Sequence, residues 1–142
     1  HDFACARKAI EETARRGIRV GAHIILGLPG EDAKESLRQA PIISSLPLTT
    51  LKIHQLQIIR GTRLAKMYAE KPFHLYTVEE YIKLIADYIS LLRPDLVLER
   101  FVSQSPPDLL IAPKWGLKNY EFTHRLHNYM KEKLNNNAQS DK

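Results

Sequence analysis

The chain has 142 residues, 44% hydrophobic and 26% charged, with 21 Lys and Arg against 16 Asp and Glu and a pI near 9.4. This is the composition of an ordinary globular domain and excludes a disordered or fibrous chain, and at this length a core can form without staples. A single cysteine, Cys5, excludes an intramolecular disulfide and an all-cysteine metal or cluster site built from this chain alone. No run approaches the roughly 18 apolar residues of a membrane span, and no signal-type leader is visible, so a cytoplasmic location is the expectation.

The first element begins directly at the front of the chain, which reads as an excised piece of something longer. Asp2 caps a predicted helix over about 3–16, with Cys5 expected as a small buried side chain and Arg15 and Arg16 in the last turn before Gly17. Arg19 to Leu26 is β-branched and almost continuously apolar, the pattern of a buried parallel strand, and it breaks at Gly27-Leu28-Pro29-Gly30. Asp32 opens a second helix to about Ser45, which Pro41 is expected to bend or end early. Thr50 to Ile59 reads as one strand, closed by Arg60-Gly61-Thr62 and followed by a short helix through Met67. Thr77 and Glu80 form a capping box ahead of Tyr81, Leu84, Ile85, Tyr88 and Leu92, a helical stripe that stops at Arg93-Pro94. Leu96 to Val102 is a third strand and 103–116 a loop with three prolines; a final helix carries Tyr120, His124, His127 and Met130. Residues 135–142 form a polar tail, expected to fray, beyond a domain spanning 1–134. Alternating helices and strands give class α/β with a parallel sheet.

In such folds ligands bind beyond the C-terminal ends of the strands, where Gly27 to Gly30 lies; two glycines let backbone approach a ligand, although a tight βα turn alone would also use them. Alternation puts Gly21, His23, Ile25 and Gly27 on one face, expected to be the interior one. His23 there is either a substrate-facing group or a core histidine satisfied by one hydrogen bond. On the next strand Lys52, His54 and Leu56 oppose Ile53, Gln55 and Gln57, and parity leaves both sets open. Arg100, beside Glu99, can fork onto a substrate carboxylate or phosphate, or make a buried Arg–Glu or Arg–carbonyl contact. Asp108 reads as a turn cap and Trp115 as a plug, while His124 and His127 read as surface residues rather than metal ligands.

Gly27-Leu28-Pro29-Gly30-Glu31 after an apolar strand resembles the G-L-P-G-[EQ] turn on the fifth strand of radical S-adenosylmethionine (SAM) enzymes of the Elongator-like and coproporphyrinogen oxidase-like branches. Leu51-Lys52-Ile53-His54-Gln55-Leu56 with Arg60-Gly61-Thr62 resembles the sixth strand and its turn, and Glu99-Arg100-Phe101 with Pro106 to Trp115 resembles the end of the YhcC-type Fe–S oxidoreductases. The resemblance implies the C-terminal part of a partial (βα)6 TIM-type barrel. It also implies a full-length enzyme that holds a 4Fe-4S cluster and cleaves S-adenosylmethionine to a 5′-deoxyadenosyl radical. Carried over residue by residue, it implies SAM contact at Gly27, Leu28, Pro29 and Gly30 and more weakly at the backbone of Gln55 and Leu56, with His23, His54, Gln57 and Arg100 as substrate-cavity candidates. The family's C-x-x-x-C-x-x-C loop is absent from this sequence, so this piece alone is expected to hold no cofactor and to be inactive. It is also expected to self-associate through an exposed barrel edge. The alternative is a basic RNA-binding or protein-interaction domain without chemistry of its own.

Overall fold

A computed structural model describes residues 2–140. In chain order the elements are α1 (Phe3–Arg15), β1 (Gly21–Leu26), α2 (Ala33–Ser45), β2 (Thr50–Gln55), β3 (Ile58–Ile59), α3 (Arg63–Glu70), α4 (Val78–Ser90), β4 (Val97–Arg100), β5 (Leu110–Ala112) and α5 (Asn119–Ser140). Four of the helices start on a short polar side chain that takes up an orphan amide. Asp2 accepts from Cys5 N at 2.9 Å, Asp32 from Glu35 N at 2.7 Å and Thr62 from Ala65 N at 3.1 Å. At α4 the capping box closes both ways, Thr77 Oγ1 accepting from Glu80 N at 3.2 Å and Glu80 Oε2 accepting from Thr77 N at 2.8 Å.

Three parallel strands form the main sheet in the order β1-β2-β4, with Gly21 opposite Thr50 and Leu26 opposite Gln55. The period of two makes this sheet two-faced. Leu26, Leu51 and Ile53 are fully buried in one core with Ala40 and Ile43 of α2 and Ile82 and Ile85 of α4. The opposite face, with Gly21, His23, Ile25, Lys52 and His54, is open or half-buried. At the β1 edge Phe3, Ile25 and Ile42 line an apolar hollow of about 320 Å³.

Two devices tie the C-terminal third to this sheet. Arg93, just past α4, donates to the carbonyls of Ser44 at 2.7 Å, Leu46 at 2.6 Å and Leu48, and so clamps the α2–β2 connection to the end of α4. An aromatic wedge does the rest: buried Tyr81 donates its hydroxyl to Phe101 O at 2.9 Å, and Trp115 stacks on Phe122 and donates Nε1–H to Tyr76 O at 3.1 Å. Trp115 is therefore built into the core edge rather than free in a cavity. On α5 the buried stripe is Phe122 and Leu126, and His124 and His127 are exposed.

Four local expectations change. The strand expected over 50–59 breaks after Gln55: Leu56 N still donates to Leu26 O at 3.1 Å, but Ile58 and Ile59 turn away to pair antiparallel with β5. That partner lies inside the segment expected to be a loop, where only three residues between Pro107 and Pro113 pair, too short a run for a strand pattern to stand out. The bounds expected for α2 hold, since it runs through Pro41 to Ser45 without ending early, with Ala40 and Ile43 buried on either side. Cys5 is exposed, because α1 has no buried residue among those described. Helix α5 runs to Ser140, into the stretch expected as tail, and the final two residues of that stretch lie outside the described residues.

The two-faced sheet makes a direct prediction for the 142-residue chain. Ile53→Ala removes a fully buried side chain and should cost roughly 2–5 kcal/mol in urea unfolding. Ile25→Ala, 48% exposed on the other face, should stay within about 0.5 kcal/mol of the parent. Equal losses would contradict the assignment of faces.

Candidate functional site

The C-terminal ends of β1, β2 and β4 converge on one edge of the sheet. After β1 the chain makes a type II turn: Glu31 N donates to Leu28 O at 2.9 Å, with Pro29 at the second position and Gly30 at φ +84° at the third. Glu31 then folds back over the turn, accepting from Leu28 N at 3.0 Å through Oε2, and from Ser36 Oγ at 2.7 Å and Gln39 Nε2 at 2.8 Å through Oε1. Gly27 sits at φ +87° against the Tyr76 ring, where a Cβ would lie 3.0 Å from Cε2. Both glycines are thus required by the turn and its packing. Beside Gly30 a Cβ would meet nothing within 4 Å, and Leu28 is exposed, so the rim of the turn faces open space.

After β4 the chain is pinned by glutamines. Gln55 lies in the buried row of β2, and both ends of its amide bond the Ser103 backbone: Nε2 donates to Ser103 O at 3.1 Å and Oε1 accepts from Ser103 N at 2.8 Å. Gln57 adds Nε2 to Ser103 O at 3.2 Å and accepts from Ser105 Oγ at 2.7 Å. These residues, with Lys114 and Lys118, border a groove of about 560 Å³ beyond the strand ends.

On the open face β1 and β2 bring two imidazoles together, with the His23 and His54 ring centroids 5.4 Å apart. His54 Nδ1 also contacts Ser103 Oγ. A register shift makes Arg100 the partner of Lys52 and leaves Glu99 as the extra residue of a bulge, from which it pairs with Lys52 Nζ at 3.1 Å. Thr50 and Lys52 hold the Glu99 carboxyl below the usual carboxylate range. His54 is held below its ordinary value of 6.5, first by burial and then by the charges of His23, Arg100 and Lys52. Since the folded state disfavours the imidazolium, the stability carried by neutral His54 is present above the ordinary pKa and is lost as pH falls through the lowered one.

Parity on β2, open in the sequence, is therefore resolved with Lys52 and His54 on the face of His23. Leu56 does not join them: the strand has ended, its side chain is buried and its amide is bonded to Leu26. Gln57 belongs to the groove rim rather than the open face. Arg100 does not pair with Glu99, which goes to Lys52. The sequence reading missed Ser103, whose partners His54, Gln55 and Gln57 are far away along the chain, and the clamp made by Glu31, whose partners Leu28, Ser36 and Gln39 are local but follow no standard capping pattern.

A three-stranded parallel sheet covered by helices on one face, with a tight glycine turn and a groove beyond its strand ends, defines a mixed α/β fold. Residues 48–132 match the family described as Radical_SAM C-terminal domain, and the chain belongs to that radical SAM family. Among its relatives are YtqA of Bacillus subtilis, 31% identical over 85% of this chain and 38% of that protein, and MJ0486 of Methanocaldococcus jannaschii, 32% identical over 94% and 42%. YhcC of Escherichia coli K12 is 27% identical over 93% of the chain and 43% of its own length. The chain therefore spans about two-fifths of the length of these relatives. The solved structure of Methanocaldococcus infernus Elp3 lacking residues 1–46 superimposes with a TM-score of 0.81 at 22% identity, over 94% of this chain and 31% of that one, and shares its fold.

The turn carries its own prediction. Gly27→Ala forces a side chain into a left-handed backbone and against Tyr76, and should lower stability by about 1–3 kcal/mol, read as a fall in Tm. An unchanged Tm would mean that the turn is not held as described.

Proposed function

We propose that this chain is the C-terminal wall of a radical SAM enzyme, contributing the adenosine side of the SAM pocket and part of the substrate cavity to a longer protein. The observation that carries this reading is the two-faced sheet: one face is sealed by α2 and α4, while the other presents His23, Lys52, His54 and Arg100 beside the turn after β1. A sheet finished on one side and polar on the other suits a barrel interior.

The residues present fit SAM and do not fit the cluster. The turn offers an exposed apolar side chain at Leu28 and unobstructed space at Gly30, suitable for a nucleoside lying along backbone. A 4Fe-4S cluster requires several thiolates; Cys5 is the only cysteine and is exposed on α1, and no trio of ligating side chains occurs among the described residues. Cluster ligands belong to other parts of the longer protein. SAM and cluster together would supply the radical chemistry, and this chain's work is to bind, orient and exclude water. In that work Glu31 keeps the turn rigid, Leu28 and Gly30 face the nucleoside, and Gln55 fixes the loop at Ser103 that borders the cavity. The Gln55 side chain and the Leu56 N–H act through structure, bonded to Ser103 O and Leu26 O, and any SAM contact at these two residues falls to the rest of their backbone. With no ligand set of its own for a cluster, the chain by itself is inactive in radical formation.

S-adenosylhomocysteine binding to the whole protein, measured by calorimetry, tests the reading. Leu28→Ala should weaken it roughly tenfold, the loss of about 1.4 kcal/mol of apolar contact, with Tm unchanged. Unaltered affinity would remove the turn from the SAM pocket.

A further inference from the structure

The open face of the sheet carries more positive than negative charge, and the excess is concentrated at one place. Every charged or titratable group on it can be named: His23 from β1, Lys52 and His54 from β2, and Glu99 and Arg100 from β4. Lys52 and Glu99 neutralise each other at 3.1 Å. That leaves the Arg100 guanidinium without an acidic partner among the described residues, near enough to His54 for its charge to act on that ring, and the His54 ring lies 5.4 Å, centroid to centroid, from His23. His54 is oriented by the contact of Nδ1 with Ser103 Oγ. With that hydroxyl donating, Nε2 carries the ring proton and is left as a donor.

The bulge at Glu99 is what makes this possible. In an unbulged ladder Lys52 would face Glu99 as its register partner; the shift inserts one residue, so that Lys52 keeps Glu99 as its ion pair and gains Arg100 alongside. The carboxylate is used up on the ammonium, and the planar fork is left over. An arginine fork flanked by imidazole donors is suited to a planar or tetrahedral oxyanion and unsuited to a cation or an apolar group.

We infer that this face binds the substrate through an oxyanion group, a carboxylate or a phosphate, gripped by Arg100 with His23 and His54 as accessory donors. The inference rests on the proposal that this face lines the substrate cavity, and it adds the chemical class of the substrate. Because His54 resists protonation in the unliganded protein, an anion that brings a compensating charge binds more tightly as pH falls toward its lowered pKa.

The test is an NMR titration of the histidine ring C–H signals in the whole protein with inorganic phosphate, with succinate, and with chloride at matched ionic strength. The expected result is a saturable shift of His23 and His54, and not of His124 and His127, with phosphate, succinate or both. The anion that acts identifies the oxyanion. The titration midpoint of His54 should rise on binding. Arg100→Gln should weaken binding about tenfold or more and Arg100→Lys by less, since the charge stays and the fork goes. Arg100 is exposed, so an unchanged Tm should accompany both variants. No response to either anion, an equal response to chloride, or an affinity unaffected by Arg100→Gln would overturn the inference. S-adenosylhomocysteine binding measured on the same samples separates the two levels: if it binds while the anions do not, only the substrate class is wrong, and if it also fails, the cavity reading falls with it.

Discussion

Three alternate residues of β2, Leu51, Ile53 and Gln55, must all point into the helix-covered side of the sheet, and most of the molecule follows from that constraint. The first two meet it as ordinary core residues. Gln55 does not: a buried amide is costly unless each of its groups is bonded, and the groups within reach are the N–H and C=O of Ser103. Burying Gln55 therefore fixes the chain leaving β4. It brings Ser103 against His54 and Gln57, and places the loop over the strand ends. The same parity turns Lys52 and His54 outward, so that one register choice creates both the core and the polar face.

How far this could be read beforehand varied with how local the signal was. Helix starts were plain because Asp2, Asp32 and Thr77 cap within a single turn, and the apolar run ending at Leu26 marked β1. The alternating order of helices and strands was enough for the class and for a parallel sheet. What could not be read depended on partners far along the chain. Nothing in Ile58-Ile59 announces that its partner is Leu110–Ala112, and nothing in Gln57 reveals that Ser103 and Ser105 await it. The face of β2 was undecidable because both of its rows contain polar residues, and only the position of α2 and α4 decides. Cys5 misled because α1 lies along the surface, where a small apolar residue has nothing to pack against.

The turn after β1 illustrates how a resemblance and a structural requirement can share residues. Gly27 and Gly30 are demanded by positive φ angles and by the Tyr76 ring, and Pro29 is favoured by the turn type, so their presence does not by itself speak of a ligand. What speaks for one is position: the rim of Leu28 and Gly30 stands at the strand end, beside a face that is polar in its own right. Glu31 spends its carboxylate on three hydrogen bonds that keep this rim in place. The chain belongs to the radical SAM family and spans about two-fifths of the length of its relatives, and the proposed cavity wall rests on that membership together with the open face.

The central claim is that the open face of the sheet becomes an enclosed cavity wall in the longer protein. The most direct measurement compares the rates at which diethyl pyrocarbonate modifies individual histidines in the 142-residue chain and in the longer protein. The account predicts that His23 and His54 react readily in the chain and are strongly protected in the longer protein, while His124 and His127 on α5 react equally in both. Equal rates at His23 and His54 in the two would mean that the polar face stays in solvent, and would contradict the account.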